Sequence, residues 1–261
     1  MKKFVALFCA TAMLATFATG CKSNNNLKVA TNAEFAPWES LDKEGNVIGA
    51  DADIIQAVAE KMGMTVEFKN MEFDGVVASI PSGTCDIAIS GLTINPGRLK
   101  SVDFSTPYHI GAAQILITKK DDTVFTGKTK EELDEQLKGK RIGVCTGFTG
   151  ASYANGNEEW GFKKIENAKV STFENVGLAI QDMKNGNIDV IIMDDTVAKK
   201  AVATEENKND IKTVDVELTV EKYAIAIKKG NTELTEKINK ALDELIKAGE
   251  IEKILKKWEC I

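Results

Sequence analysis

Residues 76–91, "VVASIPSGTCDIAISG", and residues 176–195, "VGLAIQDMKNGNIDVIIMDD", follow the same order of features along the chain. Each begins with an amphipathic helical pattern, passes a glycine and two further residues to an aspartate, and continues as an apolar strand. The matched residues are Gly83 and Asp86 in the first segment and Gly186 and Asp189 in the second. This repeat predicts an α/β protein of two lobes, with accidental likeness inside one large domain as the alternative.

Short apolar runs alternate with amphipathic stretches on both sides of the first segment. The expected strands are "LKVAT" (27–31), "TVEFK" (65–69), "RIGVC" (141–145) and "EKYAIAI" (221–227). The expected helices are "ADIIQAVAEKMG" (52–63), "FDGVVASIPSG" (73–83), "TEKINKALDELIKAG" (235–249) and "IEKILKKW" (251–258). Alternation of this kind predicts largely parallel sheets flanked by helices.

The composition is that of a soluble globular protein: 261 residues, of which 43% are hydrophobic and 28% charged. Two lysines, a short apolar run and small residues precede Cys21, which predicts an export signal in residues 1–20. A cysteine directly after Gly20 resembles the bacterial lipoprotein signal. Cys21 is therefore the expected lipid anchor, with plain secretion as the alternative, and residues 21–26 are the expected polar tether.

Charge and cysteine content exclude several classes of partner and site. Cleavage after Gly20 removes two lysines and no acidic residue, which lowers the formal net charge from −6 to −8. Nucleic acid is not an expected partner, because phosphate binding needs clustered Lys and Arg. The cysteine spacing suits neither a disulfide framework nor a metal site, so Cys85 and Cys145 are expected to be small buried residues. No cofactor, metal or catalytic residue is expected, and Cys260 has no assigned role.

Polar residues follow the two matched strands at equivalent places. Gly91 and Asp194 each lie five residues after the matched aspartate, just past the carboxyl end of a strand. In open α/β sheets, ligands bind outside these strand ends. Arg98 follows a turn in the same region, where it is either a solvated surface charge or a fork that holds a carboxylate. Thr93 and the carbonyl of Gly91 are potential acceptors for an ammonium group.

The second half adds further candidates. "RIGVCTGFTGASYAN" predicts a strand that leads through a Gly- and Thr-rich loop into a helix, placing backbone N–H groups near Thr149 at the helix start. Asp194 supplies a negative charge for an amine, so that with Arg98 the set is complementary to a zwitterion such as an α-amino acid. Phe35 and Phe73 lie beyond first-lobe strands and either sandwich a ligand side chain or pack in the core.

Four stretches resemble one family, the polar amino-acid substrate-binding proteins of bacterial ABC importers (solute-binding protein family 3). They are "TNAEFAPWE" (31–39), "NMEFDGVVASI" (70–80), "ISGLTINPGRLKSVDFSTPY" (89–108) and "IDVIIMDD" (188–195). The resemblance runs from about residue 27 to 258. It implies a two-lobe periplasmic-binding-protein type II fold, with a mixed sheet flanked by helices in each lobe and a ligand cleft between them.

The resemblance also implies residue roles. Arg98 falls on the carboxylate-binding arginine, and Asp194 on the amine-binding carboxylate of the second lobe. The remaining candidates are Gly91 and Thr93 for the amine, Thr149 for a backbone N–H to the carboxylate, Phe35 and Phe73 for the side-chain sandwich, and Ser90 and Asn32 as further ligand-binding positions. Asn32 replaces an aspartate that several relatives have, and the loop 145–150 matches no one subgroup.

The implied function is a lipid-anchored, monomeric receptor on the periplasmic or extracellular face of a bacterial membrane. It captures a free polar L-amino acid and delivers it to an ABC permease. "TNAEFAPWE" favours basic amino acids (Arg, Lys, His), with a glutamine-like ligand next. The expected division is 27–110 and 223–261 for the first lobe and 111–222 for the second, with crossovers near 108–112 and 222–225.

Two alternatives stay open at this point. The same fold resembles cyclohexadienyl or arogenate dehydratases, but no acid or base stands out, and His109, near the expected crossover, is more consistent with a structural residue. A surface lipoprotein that acts as a sensor or adhesin is the other alternative.

Overall fold

A computed structural model describes residues 25–261, so the predicted export signal and the Cys21 anchor lie outside the described residues. The strands are β1 Asn26–Thr31, β2 Glu34–Phe35, β3 Glu39–Leu41, β4 Val47–Ile48, β5 Thr65–Asn70, β6 Ile87–Ala88, β7 Val102–Phe104, β8 His109–Ala112, β9 Gln114–Lys119, β10 Arg141–Cys145, β11 Lys169–Phe173, β12 Val190–Asp194, β13 Ile211–Val214, β14 Glu221–Tyr223 and β15 Ala226–Lys228. The α-helices are α1 Ala50–Lys61, α2 Phe73–Ala78, α3 Pro96–Leu99, α4 Lys130–Leu137, α5 Thr149–Asn155, α6 Val176–Lys184, α7 Asp195–Val202, α8 Thr232–Lys247 and α9 Glu250–Lys257, with a 3₁₀ turn at Glu158–Trp160.

Two five-stranded sheets form the two lobes. The first has the order β5-β1-β6-β15-β7 and the second the order β11-β10-β12-β9-β13. In each, three neighbouring strands are parallel, the fourth runs antiparallel to them, and the fifth pairs antiparallel with the fourth and so runs in the direction of the first three. The predicted two-lobe fold with mixed sheets is confirmed, and the single-domain alternative is wrong.

The matched aspartates perform the same structural task in both sheets. Asp86 accepts a hydrogen bond from the backbone N–H of Lys28 through Oδ2 (2.9 Å), and Asp189 accepts one from that of Arg141 in the same way (2.9 Å). Each carboxylate therefore fixes the start of the neighbouring parallel strand. The matched glycines are also alike, since φ is +78° at Gly83 and +79° at Gly186, a conformation that favours glycine.

Helix α1 forms as the sequence predicts. Ile54, Ile55 and Val58 lie on one buried face, and the chain leaves the helix at Gly63, whose φ of +68° favours glycine. Helix α2 ends at Ala78, earlier than predicted, because Pro81 disfavours helical geometry in the residue before it. The apolar strand predicted after Asp86 is also shorter than expected and consists of the two residues of β6.

The chain passes between the lobes at β8 and β14. These two strands pair antiparallel, with Tyr223 opposite His109. The single strand predicted for "EKYAIAI" is therefore wrong, because its first part joins β8 while its second part, β15, enters the first sheet. His109 is buried and packs 5.0 Å from the ring of Trp38.

The C-terminal helices cover the first lobe. Helices α8 and α9 pack on α1, and their inward residues belong to one buried apolar cluster with it. Cys260 follows α9 and is buried there, as are Cys85 and Cys145 elsewhere in the fold. None of the helices in residues 25–261 is both long enough and apolar enough to cross a bilayer.

Candidate functional site

A small cavity lies between the lobes at the carboxyl ends of their central strands. Its volume is about 10 Å³, about the least that holds one water molecule, so an amino acid enters only if the lobes separate. It is lined by Phe35, Phe73, Ser90, Gly91, Thr93, Arg98, Phe148, Thr149 and Asp194. Eight of the nine predicted ligand-binding residues thus come together. A larger, open surface hollow of about 670 Å³ contains none of them.

Arg98 is held at the cavity rather than extended into solvent. Its backbone N–H donates to Asn95 Oδ1 (2.7 Å), which caps the short helix α3. The guanidinium donates to the carbonyl of Thr93 (2.9 Å) and, across the cleft, to that of Gly147 (3.3 Å). Burial lowers the pKa of Arg98 to about 10, opposed by the charges of Glu221 and Asp194. The arginine therefore remains a fixed cation at neutral pH.

Asp194 supplies the opposite charge from the second lobe. It ends β12, is 4% exposed, and accepts a hydrogen bond from Tyr223 Oη (2.5 Å). Burial, followed by the charge of Glu221, raises its pKa to about 7, although bonds from Tyr223 and Gln114 act in the other direction. A cation placed beside this carboxylate favours its charged form.

Gly91 is required by the close approach of Phe35. Its φ is +51°, and a Cβ at this position would lie 2.4 Å from Phe35 Cε1. The N–H of Gly91 donates to Asp51 Oδ2 (2.7 Å), and the preceding Ser90 donates from Oγ to Glu39 Oε1 (2.7 Å). The strand exit that forms one wall of the cavity is therefore held from behind by two carboxyl groups.

Three aromatic rings form another wall. The ring of Phe148 lies 5.2 Å from that of Phe35 and 4.5 Å from that of Phe73, edge-on in both cases. The guanidinium carbon of Arg98 lies 5.3 Å from the centroid of Phe73. Sequence reasoning identified Phe35 and Phe73 but missed Phe148. Its position directly before Thr149 in the Gly- and Thr-rich loop was the available signal.

Glu221 is a second residue that the sequence did not reveal. Its buried carboxylate accepts hydrogen bonds from four side chains: Thr93 (2.5 Å) and Thr149 (2.7 Å) at Oε2, and Thr219 (2.7 Å) and Gln114 (3.1 Å) at Oε1. Thr93 comes from the first lobe and Thr149 from the second. Glu221, on the crossing strand β14, thus joins the two lobes at the floor of the cleft.

Asn32 is the predicted residue that does not line the cavity. Its Nδ2 donates to the carbonyl of Met71 (3.0 Å) and its backbone N–H to Ser90 Oγ (3.1 Å). It is 4% exposed, and its Oδ1 is buried with no protein partner within residues 25–261. Asn32 is thus placed behind Ser90, one residue removed from the cavity wall.

No cluster of three or more His, Cys, Asp and Glu side chains suited to a metal occurs among the residues that the structure describes. His109 packs against Trp38 and Tyr223, and burial lowers its pKa. It is absent from the cavity lining. Its surroundings are those of a neutral packing residue.

Comparison with known proteins gives one family. The family model for bacterial extracellular solute-binding proteins, family 3, matches residues 27–259. A probable histidine-binding protein of Neisseria gonorrhoeae is 35% identical, over 99% of this chain and 96% of that protein. An arginine-binding extracellular protein of Bacillus subtilis is 33% identical, over 99% and 98%. The structure of an ancestral arginine-binding protein bound to arginine has a TM-score of 0.78 and 39% identity, covering 90% of this chain and 98% of that one.

Proposed function

Because the chain belongs to the bacterial extracellular solute-binding proteins of family 3, we propose that it captures a basic L-amino acid and delivers it to an ABC permease. The names of its relatives support this class, since they include histidine- and arginine-binding proteins. Each aligns over nearly its full length, so the whole receptor is matched and not one lobe.

The observation that carries the proposal is the pairing of opposite charges in one interlobe cavity. Arg98 comes from the first lobe and Asp194 from the second, and both line the same small space. An α-amino acid has one carboxylate and one ammonium group on a single carbon. It therefore contacts both lobes at once only when they are closed, which gives the ligand more contacts in the closed state.

We assign the α-groups of the ligand as follows. Arg98 binds the carboxylate with its guanidinium fork, assisted by the backbone N–H of Thr149. Asp194, the carbonyl of Gly91 and the hydroxyl of Thr93 bind the amine, while Ser90 supports this side of the cavity. The assignment accounts for why a glycine at position 91 and a hydroxyl at position 93 precede an arginine at position 98.

The side chain of the ligand is assigned to the aromatic wall. Phe35, Phe73 and Phe148 present ring faces and edges, and the face of an aromatic ring attracts a guanidinium or ammonium group. Arg98 already lies close to Phe73 in this manner. These rings favour a basic ligand. A glutamine-like ligand would need a polar partner for its amide, and Asn32 lies behind Ser90 and outside the cavity lining.

The paired strands β8 and β14 support the predicted crossovers near 108–112 and 222–225. We propose lobes of residues 27–110 with 223–261, and of residues 111–222. We also propose a monomer that is anchored by lipidated Cys21 after loss of residues 1–20. The dehydratase alternative is less favoured because the relatives described above are named as binding proteins. The sensor or adhesin alternative leaves the paired charges without a purpose.

The test is identification of the ligand. Native mass spectrometry of the purified protein is expected to find a basic amino acid carried through purification. A thermal-shift panel of the twenty amino acids is then expected to show the largest increase in Tm for arginine, lysine or histidine. Stabilisation by none of the twenty contradicts the proposal and favours the sensor or adhesin, whereas turnover of prephenate or arogenate favours the dehydratase.

A further inference from the structure

A pair of buried carboxyl groups lies directly behind the proposed amine side of the cavity. Glu39, in β3, and Asp51, in the first turn of α1, are both 0% exposed. They lie close together, because the backbone N–H of Asp51 donates to the carbonyl of Trp38, the residue before Glu39 (2.9 Å). They come from different elements, so their contact is a product of the fold. The site assignments above do not use either residue.

The hydrogen bonds of the pair lead to the cavity wall. Glu39 Oε1 accepts from Ser90 Oγ (2.7 Å), and Asp51 Oδ2 accepts from Gly91 N–H (2.7 Å) and from Tyr108 Oη (3.0 Å). The other oxygen of each group, Glu39 Oε2 and Asp51 Oδ1, is buried without a conventional partner. These two oxygens are both acceptors unless a proton lies between the carboxyl groups.

The surroundings provide no compensating cation. Tyr108, Asp194 and Cys260 are the titratable groups that face the pair from the neighbouring elements, and each is neutral or negative. The positive charge of Lys200 lowers the pKa of Cys260, but Lys200 itself pairs with Glu259. Within residues 25–261, neither Glu39 nor Asp51 forms a salt bridge with a lysine or arginine. Two adjacent carboxylates in such a place repel each other strongly.

We propose that Glu39 and Asp51 share one proton, and that the resulting single negative charge positions Ser90 and Gly91 to receive the amine of the ligand. Glu39 carries the proton, taken from solvent, and donates it as a hydrogen bond to Asp51. This arrangement converts a repulsive contact into an attractive one and satisfies both remaining oxygens. Asp51 then holds the N–H of Gly91 in the conformation at φ +51°. The positioning role rests on the proposed function; the proton sharing does not.

The direction of the pKa shifts agrees with this arrangement. Burial, then the charge of Asp51, raises the pKa of Glu39 well above its ordinary value. Burial raises the pKa of Asp51 to about 7, while the bonds from Gly91 and Tyr108 oppose the shift. Glu39 is therefore the group that remains neutral and Asp51 the one that ionises first.

The proton is tested without any amino acid, by measuring the free energy of unfolding in urea from about pH 5 to about pH 8. The folded protein retains a proton that the unfolded chain loses, so this contribution to stability is full below the unfolded pKa and is lost as pH rises through the folded pKa. Glu39→Gln keeps a donor toward Asp51 but binds no proton. As pH rises, the wild type loses this contribution and Glu39→Gln does not. The unfolding equilibrium constant of Glu39→Gln, divided by that of the wild type, is therefore expected to fall by up to about tenfold per pH unit as pH rises.

Glu44→Gln is the matched control, since Glu44 is an exposed residue five positions after Glu39. It is expected to follow the wild-type pH profile. A Glu39→Gln profile parallel to wild type overturns the proposal. If that variant does not fold, infrared spectra of the wild-type protein with ¹³C-labelled glutamate decide the point. A protonated carboxyl band that shifts with the label at about pH 8 is expected, and its absence overturns the proposal.

The positioning role is tested by titration with arginine. Asp51→Asn replaces a charged acceptor of the Gly91 N–H by a neutral one and is expected to weaken binding about tenfold. Glu39→Gln is expected to weaken it less, because Asp51 remains to hold Gly91, and Glu44→Gln to leave it unchanged. Equal binding by Asp51→Asn and wild type overturns the positioning role. If no amino acid binds wild type, the proposed function fails, while the pH profile still decides the shared proton.

Discussion

Arg98 donates to carbonyl groups of both lobes, and its removal leaves the proposed ligand carboxylate without a cationic partner. Arg98→Ala is expected to weaken binding of arginine by at least about tenfold, since a hydrogen bond to a charged group contributes roughly 1.5 to 3 kcal/mol. Isothermal titration calorimetry measures the change. Arg98→Lys keeps the charge without the fork and is expected to give an intermediate affinity.

Unaltered affinity in Arg98→Ala contradicts the assignment of Arg98 to the carboxylate. Lys128→Ala, at an exposed position of the second lobe, serves as the control for general loss of positive charge. Its affinity is expected to equal that of the wild type.

The raised pKa of Asp194 predicts that ligand affinity depends on pH. Its pKa of about 7 means that the carboxylate is partly protonated in neutral solution without ligand, whereas an ammonium partner favours the charged form. Affinity for arginine is therefore expected to rise as pH increases toward about 7, by up to about tenfold per pH unit, and to level above it. Calorimetry in buffers of different ionisation enthalpy is expected to detect proton release on binding.

The effect of Asp194 on folding has the opposite sign. Because its folded pKa is raised, the stability it contributes is full below the unfolded pKa and is lost as pH rises through about 7. Asp194→Asn is expected to bind weakly at every pH and to remove the rise in affinity. A rise that persists in this variant assigns the pH dependence to another group.

Alanine substitutions at Gly91 and Gly63 distinguish the cost of a steric contact from the cost of backbone strain. Both have positive φ, but a Cβ at Gly91 meets Phe35 at 2.4 Å, whereas one at Gly63 meets nothing within 4 Å. Gly63→Ala is expected to cost about 1 kcal/mol of unfolding free energy from strain alone. Gly91→Ala is expected to cost more, about 2 to 3 kcal/mol, and to weaken binding. Urea denaturation measures both, and equal losses contradict the steric requirement.

At the scale of elements, the loop between β10 and α5 brings Phe148 onto Phe35 and Phe73. Phe148→Ala is expected to lower the affinity for arginine about tenfold, because one wall of the aromatic cluster is lost. Phe148→Leu keeps an apolar side chain without the ring quadrupole and is expected to recover part of the loss. An increase in affinity in Phe148→Ala contradicts the proposed wall and means that the ring occupies space that the ligand side chain needs.

The elements that sequence predicts well are those with a local signature. Helix α1 shows its buried face at helical spacing, and the two repeated units share the glycine and aspartate that begin each central strand. These features depend on residues that are close in sequence, or on a pattern that recurs. The same repeat located Gly91 and Asp194, and the motif around Arg98 located the charge of the first lobe.

The features that sequence missed depend on contacts between distant residues. Glu221 is hydrogen-bonded to Thr93, which lies 128 residues earlier in the sequence, and to Thr149, which lies 72 residues earlier. The predicted strand "EKYAIAI" did not show which of its residues are buried, and Glu221 is buried where β14 pairs with β8. Asp51 is likewise, in sequence, an ordinary acidic residue at the start of a helix, and its burial follows from the contacts that Gly91 and Tyr108 make with it.

At the scale of the whole molecule, closure is a balance of contacts across the cleft. Trp38 Nε1 donates to Thr196 Oγ1 (2.8 Å), Asn175 Nδ2 donates to Glu34 Oε2 (2.9 Å), and Lys100 pairs with Glu159. The last two pairs are exposed and contribute little each. The protein alone is therefore expected to exchange between open and closed states, and a ligand that bridges Arg98 and Asp194 shifts the population toward the closed one.

Spin labels at Glu34→Cys and Asn175→Cys report this exchange, because the two residues face each other across the cleft mouth. Double electron–electron resonance is expected to show a broad distribution of distances without amino acid, and a narrower, shorter one with arginine. Labels at Lys128→Cys and Glu174→Cys, two exposed positions on the second lobe, are the matched control and are expected to show no change. Both pairs are introduced after Cys85, Cys145 and Cys260 are replaced, since these thiols are free.

The same measurement with Arg98→Ala and Asp194→Asn separates binding from closure. If one zwitterion holds the lobes together, either change removes the shortening, because each leaves a ligand attached to a single lobe. Shortening that persists with Asp194→Asn at saturating arginine means that the second lobe closes on other contacts, such as those of Phe148 and Thr149. In that case the charge of Asp194 contributes to affinity, and the aromatic wall drives closure.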